Sequence, residues 1–273
     1  MLKEWLRVEA TTPSPYVFRL VNIIENQTSN TAVEEFLGSE IIAAYRNLEY
    51  LKFRYKEEPK EKLVKYIEEY VVASNKNQIT KNVWQGDFGE ILASLVVSYF
   101  FGFIVPIHKL RWKFNKDRST FCTDLIAHNP GDTIKDIFYY EVKTRLVIRK
   151  ETVNHVSNYI TINAHNSLLK DEQTPNEGIA DFLSRYYFEL EDFDTASKYG
   201  DIVMNPGHYN RNFELFFIIE ASRFKPDILD ELNNLPPTLK PLAVTIVLVK
   251  DLGKLIVQTK KLAIDRAVDY VYE

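Results

Sequence analysis

Residues 121–148 read FCTDLIAHNPGDTIKDIFYYEVKTRLVI. Two largely apolar runs, 121–128 and 137–148, flank Asn129-Pro130-Gly131-Asp132. That tetrapeptide is a turn signal, because Pro presets φ and Gly tolerates a positive one. The stretch therefore predicts a strand, a tight turn and a second strand. In a strand, residues two apart share a face, roughly 6–7 Å from each other. Glu141 and Lys143 project together, while Phe138, Tyr140 and Val142 face the other way. Opposite charges on one face of a strand in an otherwise apolar sheet need a reason. The hairpin brings Asp124, followed by Leu125 and Ile126, close to Glu141. Two carboxylates at close range repel and raise each other's pKa. A divalent cation removes that repulsion, and Mg²⁺ is commonly held by one or two carboxylates plus water.

Upstream, residues 88–101 have helical length, with Asp87 as the expected cap and Gly102 as the stop. Glu90 is the only charge within 88–101. A charge on a nearly all-apolar helix is costly unless paired or coordinated. Glu90 thus joins Asp124 and Glu141 as an expected ligand of Mg²⁺ or Mn²⁺, or else contacts Lys143. Asp124, Glu141, Lys143 and Glu90 form the expected catalytic set. The chemistry fits phosphodiester cleavage: a metal polarises the phosphate and lowers the pKa of an attacking water. Lys143 can orient or deprotonate that water and offset charge developing on phosphorus. Plainer readings exist: ExK arises by chance, Asp124 can bond a backbone amide, and Glu90 can form a structural ion pair.

Between helix and hairpin, 103–107 is apolar and 109–114 alternates cations with apolar groups, predicting a half-buried strand. Lys109, Arg111 and Lys113 would share one face, either tracking phosphates or guarding a sheet edge. Arg145, Arg149 and Lys150 would extend that nucleic-acid-binding surface. Residues 26–31 read as a loop, and 34–54 and 60–73 as helices, so 1–80 forms a mostly helical N-terminal region beside an 81–273 nuclease-like domain. Downstream, 161–170 is helical, 173–178 a loop and 179–199 a helix with an acidic face. Buried strands at 213–220 and 242–249 and an amphipathic helix at 251–272 complete the chain. The fold class is α/β, a mixed sheet flanked by helices.

The residues Gly86-Asp87-Phe88-Gly89-Glu90, Thr123-Asp124 and Glu141-Val142-Lys143 resemble the PD-(D/E)xK restriction-endonuclease-like superfamily. With the C-terminal PLAVTIVLVKDLGKLI, the chain more narrowly resembles the HamA family, nuclease subunits of the Hachiman antiphage defence system. The resemblance covers most of 80–273. It implies a DNA nuclease paired, as a heterodimer, with the helicase HamB, which would sense DNA and release the nuclease from restraint. By motif position it makes Asp124 and Glu141 metal ligands, Lys143 the catalytic lysine and Glu90 the first-helix glutamate. Thr123 departs from the superfamily's proline without moving the carboxylate.

Composition bounds the alternatives. The chain has 273 residues, 45% of them hydrophobic, one cysteine and a net charge of −4. One cysteine forms no internal disulfide, and no zinc pattern exists. No charged-then-apolar leader and no membrane-length apolar run are present, so a cytoplasmic protein with no membrane partner is expected. The acidic balance argues against tight unaided capture of nucleic acid. Charge is uneven: 109–118 holds five cations and one anion, and 171–201 nine anions and two cations. The acidic segment reads as a solvated face, a dock for a basic partner, or a shield over the cleft. His165-Asn166 hints only faintly at an HNH site, and His155 reads as a polar residue. No P-loop, GxGxxG or GxSxG is found, which leaves ATP use to a partner. Two competing functions remain, a free-standing restriction-type endonuclease and a catalytically inactive scaffold. The negative charge and the missing specificity domain disfavour the first. The intact Asp124/Glu141/Lys143 set disfavours the second.

Overall fold

The computed structural model describes the chain except residues 10–14, 119–122, 147–159, 174–177 and 237. Six strands form one sheet: β1 (Leu6–Val8), β2 (Arg19–Glu25), β3 (Leu125–His128), β4 (Asp136–Arg145), β5 (Asn210–Glu220) and β6 (Leu242–Val249). Their order is β1-β2-β6-β5-β4-β3. The four central strands run parallel, and β1 and β3 close the edges antiparallel. Helices are α1 (Leu2–Trp5), α2 (Thr31–Tyr45), α3 (Leu48–Tyr55), α4 (Lys60–Tyr66) and α5 (Gln78–Phe101). They continue with α6 (Ile160–Gln173), α7 (Gly178–Glu189), α8 (Phe193–Met204), α9 (Asp230–Asn233) and α10 (Leu252–Tyr272).

Each face of the sheet has its own core. Phe216, Ile218, Val247 and Val249 pack under α2, α5 and α10. Leu215, Phe217, Val244 and Ile246 pack under α6, α7 and α8. Central strands covered on both faces read as continuous apolar runs, which is why 213–220 and 242–249 were legible. Each fully buried Leu, Ile or Phe contributes about 1.5–3 kcal/mol of transfer free energy. The expected mixed α/β architecture, the 129–132 turn between antiparallel strands and the α6, β5, β6 and α10 elements are all present.

Several expectations need correcting. Residues 1–80 are mostly helical, as expected, but they also supply β1 and β2, which were not foreseen. One sheet thus crosses the 80/81 division. The 34–54 helix is two helices: Arg46 leaves helical geometry and Asn47 caps α3 through Glu49 and Tyr50 N–H. The 60–73 helix ends in a π turn, Ile67–Val71. α5 begins at Gln78, nine residues before Asp87, with Asn77 and Thr80 forming a capping box, and stops as expected at left-handed Gly102. Residues 103–107 contribute only a bridge between Ile104 and His128. The predicted strand 109–114 is a 3₁₀ turn, Lys109–Trp112. The 179–199 helix is two helices, broken where Glu191 adopts φ 60°. Asp192 then caps α8 through Thr195 N–H. Phe121, Cys122, Arg149, Lys150 and His155 lie outside the described residues. Among the described residues, no helix is long and apolar enough to cross a membrane.

Candidate functional site

The site forms where β3 begins, beside β4 and under α5. Leu125 pairs with Tyr140, so Asp124 lies just before β3 and alongside Glu141. Asp124 Oδ2 accepts the Val142 N–H at 2.9 Å, which ties the carboxylate to β4. Strand parity places Glu141 and Lys143 on one face, and the Lys143 ammonium donates to Glu141 Oε1. Glu141 is 3% exposed. Burial raises its pKa first, and the Asp124 charge adds to the rise. Lys143 and the hydroxyl of Ser167, on α6, oppose it.

Glu90 arrives from the opposite layer. α5 presses its backbone onto β4 at Gly89, where an added Cβ would meet Thr144 Oγ1 at 1.8 Å. Gln85 Nε2 donates to Thr144 O at 2.6 Å one turn earlier. Only a glycine permits that approach, and the next residue, Glu90, is thereby held beside the hairpin. Burial lifts the Glu90 carboxyl well above the ordinary carboxylate range, with Asp124 and Asp87 adding and Lys109 opposing.

Lys109 sits between these acids. Its Nζ lies 3.0 Å from Asp124 Oδ1, 3.5 Å from Glu90 Oε1 and 3.3 Å from Thr123 O. Burial disfavours its charge, but Glu90 and Asp124 outweigh that and hold the ammonium above the usual lysine range. Four residues on, Lys113 Nζ contacts both Asp87 oxygens, at 2.7 and 2.5 Å. Tyr45 O–H donates to the same carboxylate. Burial raises Asp87 even so.

The structure thus joins Glu90, Asp124, Glu141 and Lys143 in one charged cluster, and Lys109 belongs to it. It does not join the expected cationic face. Lys113 is 8% exposed and committed to Asp87. Arg111 reaches back to Ala43 O at 2.7 Å. Arg145, at the exposed end of β4, donates to Thr144 O at 2.9 Å. For Lys109, Arg111 and Lys113 the reason is the 3₁₀ turn, since a strand would have kept those three on one side. Sequence reasoning missed the Asp87–Lys113–Tyr45 network. Asp87 had looked like a helix cap, and its signal was the long apolar run on both sides of a helix that begins earlier. It also missed Ser167, for which no local signal exists.

Among the described residues, no three His, Cys, Asp or Glu side chains converge closely enough to hold a metal ion unaided. The donor chemistry still suits a hard divalent cation. Asp124 and Glu141 are oxygen donors, and the charge of one raises the pKa of the other. A bound Mg²⁺ or Mn²⁺ relieves such repulsion, and Mg²⁺ is held by one or two carboxylates plus water. Glu90 stands across Lys109 from this pair.

The family model HamA matches residues 1–261. No curated protein matches the chain.

Proposed function

The chain belongs to the HamA family, a component of Hachiman antiphage defence, and from that premise we propose that it is a metal-dependent DNA nuclease controlled by a partner helicase. The observation that carries this reading is the placement of Asp124 against β4, beside Glu141 and Lys143. A helix glutamate, an aspartate before a strand, a turn and a strand ExK are what a PD-(D/E)xK site would use, and the clustering of Glu90, Asp124, Glu141 and Lys143 supports that reading.

Asp124 and Glu141 would hold the metal, which supplies polarisation of the scissile phosphate and a more acidic bound water. The remaining steps belong to side chains. Lys143, a quarter exposed, holds its ammonium on Glu141. From there it can hydrogen-bond the attacking water and offset negative charge on the phosphoryl oxygens. Val142 N–H fixes one Asp124 oxygen, so the carboxylate cannot rotate away. Ser167 restrains Glu141 from the α6 side. The net charge of −4 favours DNA delivered by the partner over unaided capture.

Lys143→Ala is the direct test. Supercoiled plasmid is incubated with Mg²⁺ and the variant or wild-type protein, with and without the co-expressed helicase. The variant should lose about a hundredfold or more in cleavage, the scale of removing one transition-state donor. Cleavage equal to wild type overturns the mechanism. No wild-type cleavage in either setting favours the inactive-scaffold reading.

A further inference from the structure

The α7–α8 pair carries a surface with no part in the cleavage site. Phe188, Leu190, Phe193 and Met204 are 64%, 56%, 58% and 79% exposed. Clustered apolar side chains in water mark contact surfaces, whereas isolated ones do not. Phe188, Phe193 and Met204 border an open groove of ≈ 560 Å³ that Ser184, Gly200 and Asp201 also line.

The groove is built, not incidental. Tyr187 stacks on Tyr199 with centroids 5.8 Å apart, and Ser184 Oγ donates to Ala196 O at 2.8 Å. Gly200 lets the helices close, since a Cβ there would lie 3.0 Å from Ser184 Oγ. Phe188 and Phe193 meet edge to face at 5.3 Å across the turn. Around this apolar floor the charge is negative. Glu189, Glu191, Asp192 and Asp194 are exposed beside the two phenylalanines, and Asp201 lines the groove itself. The cations on α7 and α8 are Arg185, already paired with Asp181 at 3.0 Å, and Lys198.

We propose that this groove docks a cationic amphipathic helix from a partner protein. The helix would lay apolar anchors at i, i+3, i+4 and i+7 on Phe188, Phe193 and Met204, with Lys and Arg against the acidic rim. Charge complementarity selects this occupant. Nucleic acid would meet the same anions with its phosphates. A second copy would set rim against rim, because a two-fold contact presents the same patch from both sides. The inference stands apart from the cleavage reading and survives its failure.

The test uses the full chain and a fluorescein-labelled Lys/Leu peptide of about 18 residues, five helical turns, with leucines at helical spacing. A second peptide has the same composition with that spacing scrambled. Binding is read by anisotropy. The amphipathic peptide should bind, the scrambled one roughly tenfold or more weaker, or about 1.4 kcal/mol. Met204→Asp and Phe193→Asp should each weaken binding on the same scale. The pair Glu189→Gln with Asp194→Asn should weaken it and flatten its salt dependence. Equal binding of the two peptides, binding indifferent to Met204→Asp, or no binding at all overturns the proposal. Melting curves check each variant. Met204 is so exposed that its substitution leaves the fold intact, so it decides the matter if Phe193→Asp unfolds.

Discussion

Lys109 sets the electrostatic balance of the site. Glu90, Asp124 and Glu141 are three carboxylates, and among the described residues the ammonium groups of Lys109 and Lys143 touch them. Removing one member of a buried pair strands its partner, at a cost of about 3 kcal/mol. Lys109→Met should show that loss, and its pH dependence has a definite sign. Glu90 and Glu141 already have folded pKa values above their ordinary ones. The folded state therefore holds their protons more tightly than the unfolded chain, and stability falls as pH rises through the ordinary carboxylate range towards the folded pKa. Without Lys109 that fall steepens. Thermal melts across pH 5–8 should show a deficit that widens with pH and narrows when Mg²⁺ is added. A deficit constant with pH would mean that Lys109 acts through packing alone. At this scale the sequence was informative where geometry is local. Glu141 and Lys143 share a face because strand parity requires it. Lys109 and Lys113 were visible as cations, but alternation could not reveal that both turn inward. Spacing of four suits a helical turn as well as a strand face, and the acids that choose between them lie in α5 and before β3.

Elements position these residues, and α5 does so through a single glycine. Any side chain at 89 drives α5 away from Thr144 or forces Thr144 to move. Overpacking of this kind costs about 1–3 kcal/mol. Alanine favours a helix by nearly 1 kcal/mol over glycine, so the net loss should reach up to about 2 kcal/mol. Gly89→Ala should therefore lower the melting temperature despite the better helix former. It should also reduce plasmid cleavage, because Glu90 follows the displaced backbone. A melting temperature at or above wild type would show that Thr144 yields freely. Gly86, one turn earlier, meets nothing within 4 Å and serves as the control, where alanine should be neutral or stabilising. The elements that could be read in advance were β5, β6 and α10, whose apolar patterns are long and unambiguous. β2 escaped notice: its seven residues include Arg19 and Asn22. What makes it a strand is β6, its parallel partner more than 200 residues away.

That pairing governs the whole molecule. β2 covers one edge of β6, and α2 packs along α10, so the first third of the chain shields the last. Leu37, Ile41 and Tyr45 of α2 share one core with Ala263 and Ala267 of α10. At Gly38 the contact is backbone-close, since an added Cβ would lie 2.9 Å from Leu262 C. A chain beginning at residue 81 would expose the β6 edge, which invites pairing with other chains. It would also uncover the apolar stripe of α10 and lose Tyr45, which donates to Asp87 beneath the site. The contrast between a mostly helical N-terminal region and a nuclease-like remainder, drawn from local periodicity, does not correspond to a break in this core. Residues 81–273 expressed alone should accumulate as aggregate or melt without a cooperative transition, whereas the full chain should melt cooperatively. Supplying residues 1–80 as a separate chain during expression should restore soluble protein, because the missing strand and helix can still dock. A soluble 81–273 fragment with a sharp transition would show instead that β1, β2 and α2 are an accessory layer, and that the remaining core closes without them.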